Sequence, residues 1–324
     1  MIKPYKKYDY LCEMKKLIIL LIACLPLLSY AHGFDESEVT IDAKGVQLSG
    51  TLTLPAHSHS QMPLVIIIAG SGPTDRDCNG QGFKSDAYKK MASQFALNGI
   101  ATYRYDKRGV GKSIIPNMKE DDLLFTQSIS DAQSVIANFE KDTRFNKIII
   151  AGHSEGSLVG MMSAKANHKY ISIAGISEQA HELLKIQLKG KLGELESSTF
   201  LKLDSLEKGK DIACDNPMLM SLFRPSVLPY LKSWFKIKPQ DEIKKLKCPI
   251  LIINGTKDLQ VAEKNAQSLK DANPQATLLI VPNMNHCLTE ISSDKQEDNL
   301  ASYNQPELPL SKKMMDNMIL FILQ

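Results

Sequence analysis

An α/β fold around a mostly parallel central sheet is what three features of this 324-residue chain predict. Short, continuous apolar runs suit strands buried on both faces. Between them lie stretches whose apolar residues recur at helical spacing, and glycine-bearing turns follow several of the runs directly. With 43% hydrophobic residues, the chain can bury one large core in a single enzyme-sized domain.

Residues 1–31 read as an export signal, with residues 1–13 a possible upstream extension. Met14-Lys15-Lys16 precedes the apolar run Leu17 to Leu28, and Ser29-Tyr30-Ala31 offers small residues where a signal peptidase cuts. Pro26 interrupts that run, which is short for a membrane span, so the expected product, 32–324, is periplasmic or secreted with no stable span. A lipoprotein anchored at Cys24 is the minor alternative. The five Lys and two acidic residues of 1–31 account for the whole net charge of +3, leaving a neutral remainder that argues against nucleic-acid binding.

The elements follow in order. Val39, Ile41, Val46, Leu48, Leu52 and Leu54 alternate with polar residues around Lys44-Gly45, an antiparallel hairpin opening the sheet. Strand-like runs come at 64–69, 101–105, 147–151, 171–175, 248–254 and 277–281. Helical spacing marks 88–97, 129–139, 262–269 and a last helix from near Ser311, giving helices on both faces. About seventy residues separate the strands ending at Gly175 and starting at Pro249, far more than a usual crossover, so a helical cap is expected over about 177–246. Its 183–206 stretch reads as one amphipathic block, and some of its Met, Phe and Trp side chains are candidates to line an acyl pocket. Residues 292–307 read as a polar loop.

The chemistry centres on Gly152-His153-Ser154-Glu155-Gly156, between a strand and a helix, where a strained turn would lift the Ser154 hydroxyl clear of the sheet. The amide of Glu155 would then stand at a helix N-terminus, facing a developing oxyanion. A second donor is expected from the glycine-flexed loop 70–77, with the amide of Ser71 first choice and Gly72 in reserve; Pro73 has no amide to offer. Asp258, in the turn after strand 248–254, is the candidate orienting acid, and His286, after strand 277–281, the candidate base. Glu178 is the second choice for the acid. His153 reads as a packing residue, and His57, His59, His168 and His181 as solvated surface histidines; His32 would open the mature chain. Gly109-Val110-Gly111-Lys112-Ser113 imitates the end of a phosphate-binding loop, but Asp106 stands where its first glycine belongs, so Asp106, Arg108 and Ser113 are expected to brace loops instead.

The segments 70–77, 104–113 and 152–156 together resemble the bacterial esterase D-like α/β-hydrolase family, with its serine aminopeptidase-like and dienelactone hydrolase-like relatives, from about Glu38 onward. The resemblance implies the α/β-hydrolase fold and a carboxylic ester hydrolase, without naming the ester. Cys78 departs from it, since relatives tend to carry glycine there. The expected reaction is two-step acyl transfer through Ser154, His286 and Asp258, requiring no metal or organic cofactor. The alternatives are a serine aminopeptidase, with Glu155, Asp75 and Asp77 binding a substrate ammonium, and a non-catalytic binding protein of the same fold. Four cysteines follow residue 31: Cys78, Cys214, Cys248 and Cys287. Either disulfides, in any of three complete pairings, or free thiols are compatible with export.

Overall fold

The computed structural model describes residues 33–56, 60–214 and 216–324. The expected signal segment, Cys24, His32, His57 and His59 lie outside them. Among the described residues ten strands are formed: β1 (Phe34–Ala43), β2 (Val46–Pro55), β3 (Met62–Ile68), β4 (Asn79–Gly80), β5 (Phe83–Lys84), β6 (Ala101–Tyr105), β7 (Phe145–His153), β8 (Lys169–Ile173), β9 (Ile250–Gly255) and β10 (Thr277–Val281). Eight make one sheet in the order β1-β2-β6-β3-β7-β8-β9-β10, and β4 and β5 form a separate small hairpin. The pairings β1–β2 and β2–β6 are antiparallel, and all others in the large sheet are parallel. Lys44 and Gly45 both take positive φ, the backbone that a two-residue hairpin with the sheet's own twist demands.

The alternation of strand side chains sorts the core into two clusters. Leu64, Ile66, Tyr103, Ile148 and Ile150 pack with the helices Phe125–Phe139 and Glu155–Ser163. Val65, Ile67, Ile149, Ala151 and Ile253 pack with the helices Ala87–Ala96 and Lys312–Leu323. Strands β3 and β7 are almost wholly buried, which is why they read as unbroken apolar runs rather than alternating ones.

Between β8 and β9 stand the helices Ala180–Leu188, Glu196–Glu207, Met220–Phe223, Leu228–Phe235 and Pro239–Lys245. The single block expected over 183–206 is two helices, because Gly190 and Gly193 both adopt positive φ and break it. The expected polar loop 292–307 contains the helix Gln296–Ala301. Side-chain bonds from Asn285 Nδ2 to Asn299 Oδ1 (3.1 Å) and Ser302 Oγ (2.8 Å) hold that segment, a long-range support that periodicity does not register. His168 and His181, expected at the surface, are buried: His168 Nε2 meets Glu140 Oε1 at 2.9 Å and His181 Nε2 meets Glu182 Oε1 at 3.0 Å. Each ring has a carboxylate partner, adjacent in sequence for His181 and distant for His168, and a polar neighbourhood in sequence is no sign of solvation. Among the described residues, no helix is long and apolar enough to cross a membrane.

Candidate active site

One residue, Ser154, joins β7 to the helix Glu155–Ser163, and its backbone carries the strain of the reversal at φ 54°, ψ −123°. Such a conformation costs on the order of 1–3 kcal/mol for a residue with a Cβ and persists only where its surroundings enforce it. They do so here through two close approaches. A Cβ on Gly152 would lie 2.2 Å from Gly156 O, and one on Gly156 would lie 2.4 Å from Ile68 O. The Ser154 amide is fixed by a 2.9 Å bond to Ile173 O.

Asp258 follows β9 and is buried. Its Oδ1 accepts the amides of Gln260 and Val261, both at 2.8 Å, and its Oδ2 meets His286 Nδ1 at 2.8 Å. Burial pushes the carboxyl pKa up, but the imidazole and the two amides outweigh it and hold the group below its ordinary value. An ionised carboxylate only accepts, so Nδ1 of His286 carries a proton, and a neutral ring then leaves Nε2 as an acceptor. The described hydrogen bonds of the His286 ring are all on the Nδ1 side. Ser154 and His286 line the same cleft of about 130 Å³, with Gly70, Ser71, Thr74, Cys78, Phe83, Tyr88, His153, Gln260, Cys287 and Tyr303. No hydrogen bond joins the hydroxyl to the imidazole among the described residues, as is common before substrate tightens such a pair. Glu178 takes no part in binding His286.

His153 does more than pack. Its Nε2 lies 3.0 Å from the carbonyl of His286 and its Nδ1 lies 2.8 Å from Tyr88 Oη. A carbonyl only accepts, so Nε2 is protonated and Nδ1 accepts the tyrosine hydroxyl, which in turn receives the Gly70 amide at 3.2 Å. Burial and the neighbouring His286 push the His153 pKa down to about 3, so this ring stays neutral. The chain of bonds ties the Ser154 turn, the His286 loop and the 70–77 loop together.

On the other flank, Lys107 Nζ donates to the carbonyls of Gly70 and Gly72, the latter at 2.7 Å. Among the described residues, no turn, loop or cap hydrogen bond occupies the amides of Ser71 and Glu155. The Glu155 side chain turns inward instead, where Tyr230 Oη donates to its Oε1 at 2.8 Å and its Oε2 is buried without a partner among the described residues. Burial raises the Glu155 pKa, opposed by Lys107 and Tyr230. Of the apolar side chains in 177–246, Phe223, Trp234 and Phe235 are buried in the core, with Trp234 stacked on Phe125 at 5.8 Å. The cleft wall comes instead from Phe83, Tyr88 and Tyr303.

The remaining candidates have other partners. Asp75 Oδ1 accepts the amides of Asp77 and Asn79, and Asp77 pairs with Arg104 at 2.8 Å. In the segment that imitates a phosphate loop, Asp106 Oδ2 accepts the Lys112 amide at 2.9 Å and pairs with Arg76 at 2.6 Å. A Cβ on Gly111 would fall 2.4 Å from that oxygen, so the loop is wrapped around its own carboxylate. Ser113 Oγ donates to Asp106 O, and Arg108 pairs with Asp131. All four cysteines of the described residues are free, and burial raises the Cys78 thiol to about 11. His181, Glu182 and Asp204 approach one another closely enough to hold a cation, but the Lys185 ammonium already bonds both carboxylates.

The architecture matches that of known hydrolases. Est1E from Butyrivibrio proteoclasticus, solved with ferulic acid bound, superposes with a TM-score of 0.60 at 21% identity, covering 88% of this chain and 99% of that one. This chain is an α/β-hydrolase by fold. The same α/β-hydrolase frame superposes on a proline iminopeptidase from Mycobacterium smegmatis with a TM-score of 0.55 at 15% identity, covering 88% of this chain and 99% of that one. Residues 78–185 match the family model for serine aminopeptidase, S33. Esterase EstD from Thermotoga maritima is 26% identical over 266 residues, covering 79% of this α/β-hydrolase, which spans 61% of that relative's length. These similarities are consistent with the esterase-like group of α/β-hydrolases.

Proposed function

We propose that this protein is an exported serine hydrolase that cleaves carboxylic esters of small molecules through an acyl-enzyme. The observation that carries the reading is the 2.8 Å contact between Asp258 and Nδ1 of His286, in a cleft that also holds the strained Ser154. In this mechanism neutral His286 takes the Ser154 proton as the hydroxyl attacks the ester carbonyl, and Asp258 stabilises the imidazolium that forms. The amides of Ser71 and Glu155 receive the oxyanion. His286 returns its proton to the departing alcohol, and water deacylates the serine through the same base. Helices 180–245 are read as a cap over the sheet, and residues 1–31 as the export signal.

The similarity to Esterase EstD and to Est1E supports an ester. The serine aminopeptidase match keeps an amide substrate as the second reading. Against it, the carboxylates of Asp75 and Asp77 are engaged by their own loop and Arg104, Glu155 is turned inward onto Tyr230, and none of the three lines the cleft that Ser154 and His286 share.

Comparing p-nitrophenyl esters of graded acyl length with aminoacyl anilides separates the readings. Esters are expected to be hydrolysed much faster, and Ser154→Ala to lose turnover on the order of a millionfold. Faster anilide cleavage by the wild type would favour the peptidase. Failure of a fluorophosphonate to label Ser154 would favour a non-catalytic binding protein.

A further inference from the structure

We propose that Lys107 is the positioning residue of the oxyanion hole, holding the Ser71 amide in its donating orientation. Its ammonium bonds the carbonyls of Gly70 and Gly72, one on either side of Ser71. The physical link is the peptide plane. In a trans peptide the carbonyl oxygen and the next N–H point in opposite directions, so drawing Gly70 O onto Lys107 turns the Ser71 N–H the other way. Ser71 and Gly70 line the cleft with Ser154, and a Cβ on Gly70 would lie 3.2 Å from the Ser154 Cβ. Gly70 thus lies against Ser154, and in this proposal the Ser71 N–H that Lys107 turns away from itself is the donor presented to that side. The intervening Ser71 carbonyl is taken by Thr74 Oγ1 at 3.0 Å, so it does not compete for Lys107.

The charge matters as well as the tether. A cation on a carbonyl polarises the peptide and strengthens its N–H as a donor. Lys107 is half-buried and shares a small cavity wall with Glu155, the residue offering the second amide. Burial draws the ammonium's pKa down while the Glu155 carboxylate opposes that shift, so the lysine's charge is felt across the cavity by the residue that offers the second amide. Gly70 and Gly72 have no side chains of their own to fix the backbone on either side of Ser71, and Gly72 takes φ 72°. The lysine adds a constraint at both of those carbonyls.

The inference rests on the esterase reading, and the test separates the two. Full-length wild type, Lys107→Met and Lys107→Gln are assayed with p-nitrophenyl acetate, with active sites counted by fluorophosphonate titration. Each is then inhibited by a trifluoromethyl ketone, whose tetrahedral adduct needs the same two amides. Lys107→Met is expected to lower kcat per titrated site roughly tenfold to a hundredfold, short of losing a donor outright, with KM nearly unchanged. Trifluoromethyl ketone affinity should fall in parallel with kcat/KM, and Lys107→Gln, uncharged but able to donate, should fall between. A merely structural role would reduce the number of titratable sites and leave kcat per site and inhibitor affinity alone. That result overturns the proposal, as does wild-type turnover per site in Lys107→Gln should the methionine variant not fold. A wild type that hydrolyses no ester and resists the fluorophosphonate overturns the esterase reading, and this proposal with it.

Discussion

His153 shows how far a residue's chemistry depends on what faces it. Beside Ser154 in sequence it reads as packing, yet its two ring nitrogens bridge the His286 carbonyl and the Tyr88 hydroxyl. Replacing it by glutamine would keep one donor but lose the fixed spacing across the ring. His153→Gln should therefore lower kcat roughly tenfold while leaving fluorophosphonate-reactive Ser154 present, measurable by titrated steady-state assays. On the proposed mechanism, Asp258→Asn would remove the charge that stabilises the imidazolium and invite the wrong tautomer, so kcat should fall on the order of 10⁴-fold in the same assays. Asp258 and His286 were readable in the sequence, because each sits in a turn directly after a strand whose apolar run announces it. Tyr88 and Lys107 were not, since nothing near them in sequence hints that they reach a loop from elsewhere in the chain.

The β7–turn–helix unit is the element on which the site stands. Its sequence is locally consistent, with a buried strand, a strained serine and a glycine on either side, and the tertiary contacts explain why those two positions tolerate no Cβ. On Gly152 that atom would strike backbone 2.2 Å away, and backbone cannot step aside as a flexible side chain can. Gly152→Ala and Gly156→Ala are each expected to destabilise the fold by about 3 kcal/mol or more, seen as a lower urea midpoint. An alanine at Gly45, where nothing lies within 4 Å, meets only the unfavourable positive φ and should cost about 1 kcal/mol. The helices after β8 teach the converse. Their number and breaks depend on Gly190 and Gly193, and the 183–206 stretch conceals both inside one amphipathic pattern.

Across the whole molecule, buried titratable groups make stability depend on pH. The native His153 pKa of about 3 lies below the ordinary 6.5, so between these values the unfolded chain binds a proton that the folded one refuses. That share of stability is complete above pH 6.5 and declines as pH falls toward 3, by at most about 1.4 kcal/mol per pH unit. Asp258 adds a further loss at lower pH, as its depressed native pKa delays protonation relative to the unfolded chain. Urea unfolding at pH 7, 5.5 and 4.5 should show the decline in the wild type and a flatter dependence in His153→Gln; equal slopes would contradict the assignment.

The eight strands of the large sheet, the helices between them outside 177–246 and 292–307, the opening hairpin, and three candidates at strand ends are legible along the chain. Each rests on local patterning: apolar runs of strand length, helical spacing and glycine at turns. Which side chains back those candidates is not written locally. His153, Tyr88 and Lys107 gain their roles only where β3, β6 and β7 lie side by side and bring loops far apart in sequence within hydrogen-bond reach. Hydrogen bonding acts over a few ångströms of space, whatever the separation along the chain, so their partners follow from folding and not from spacing.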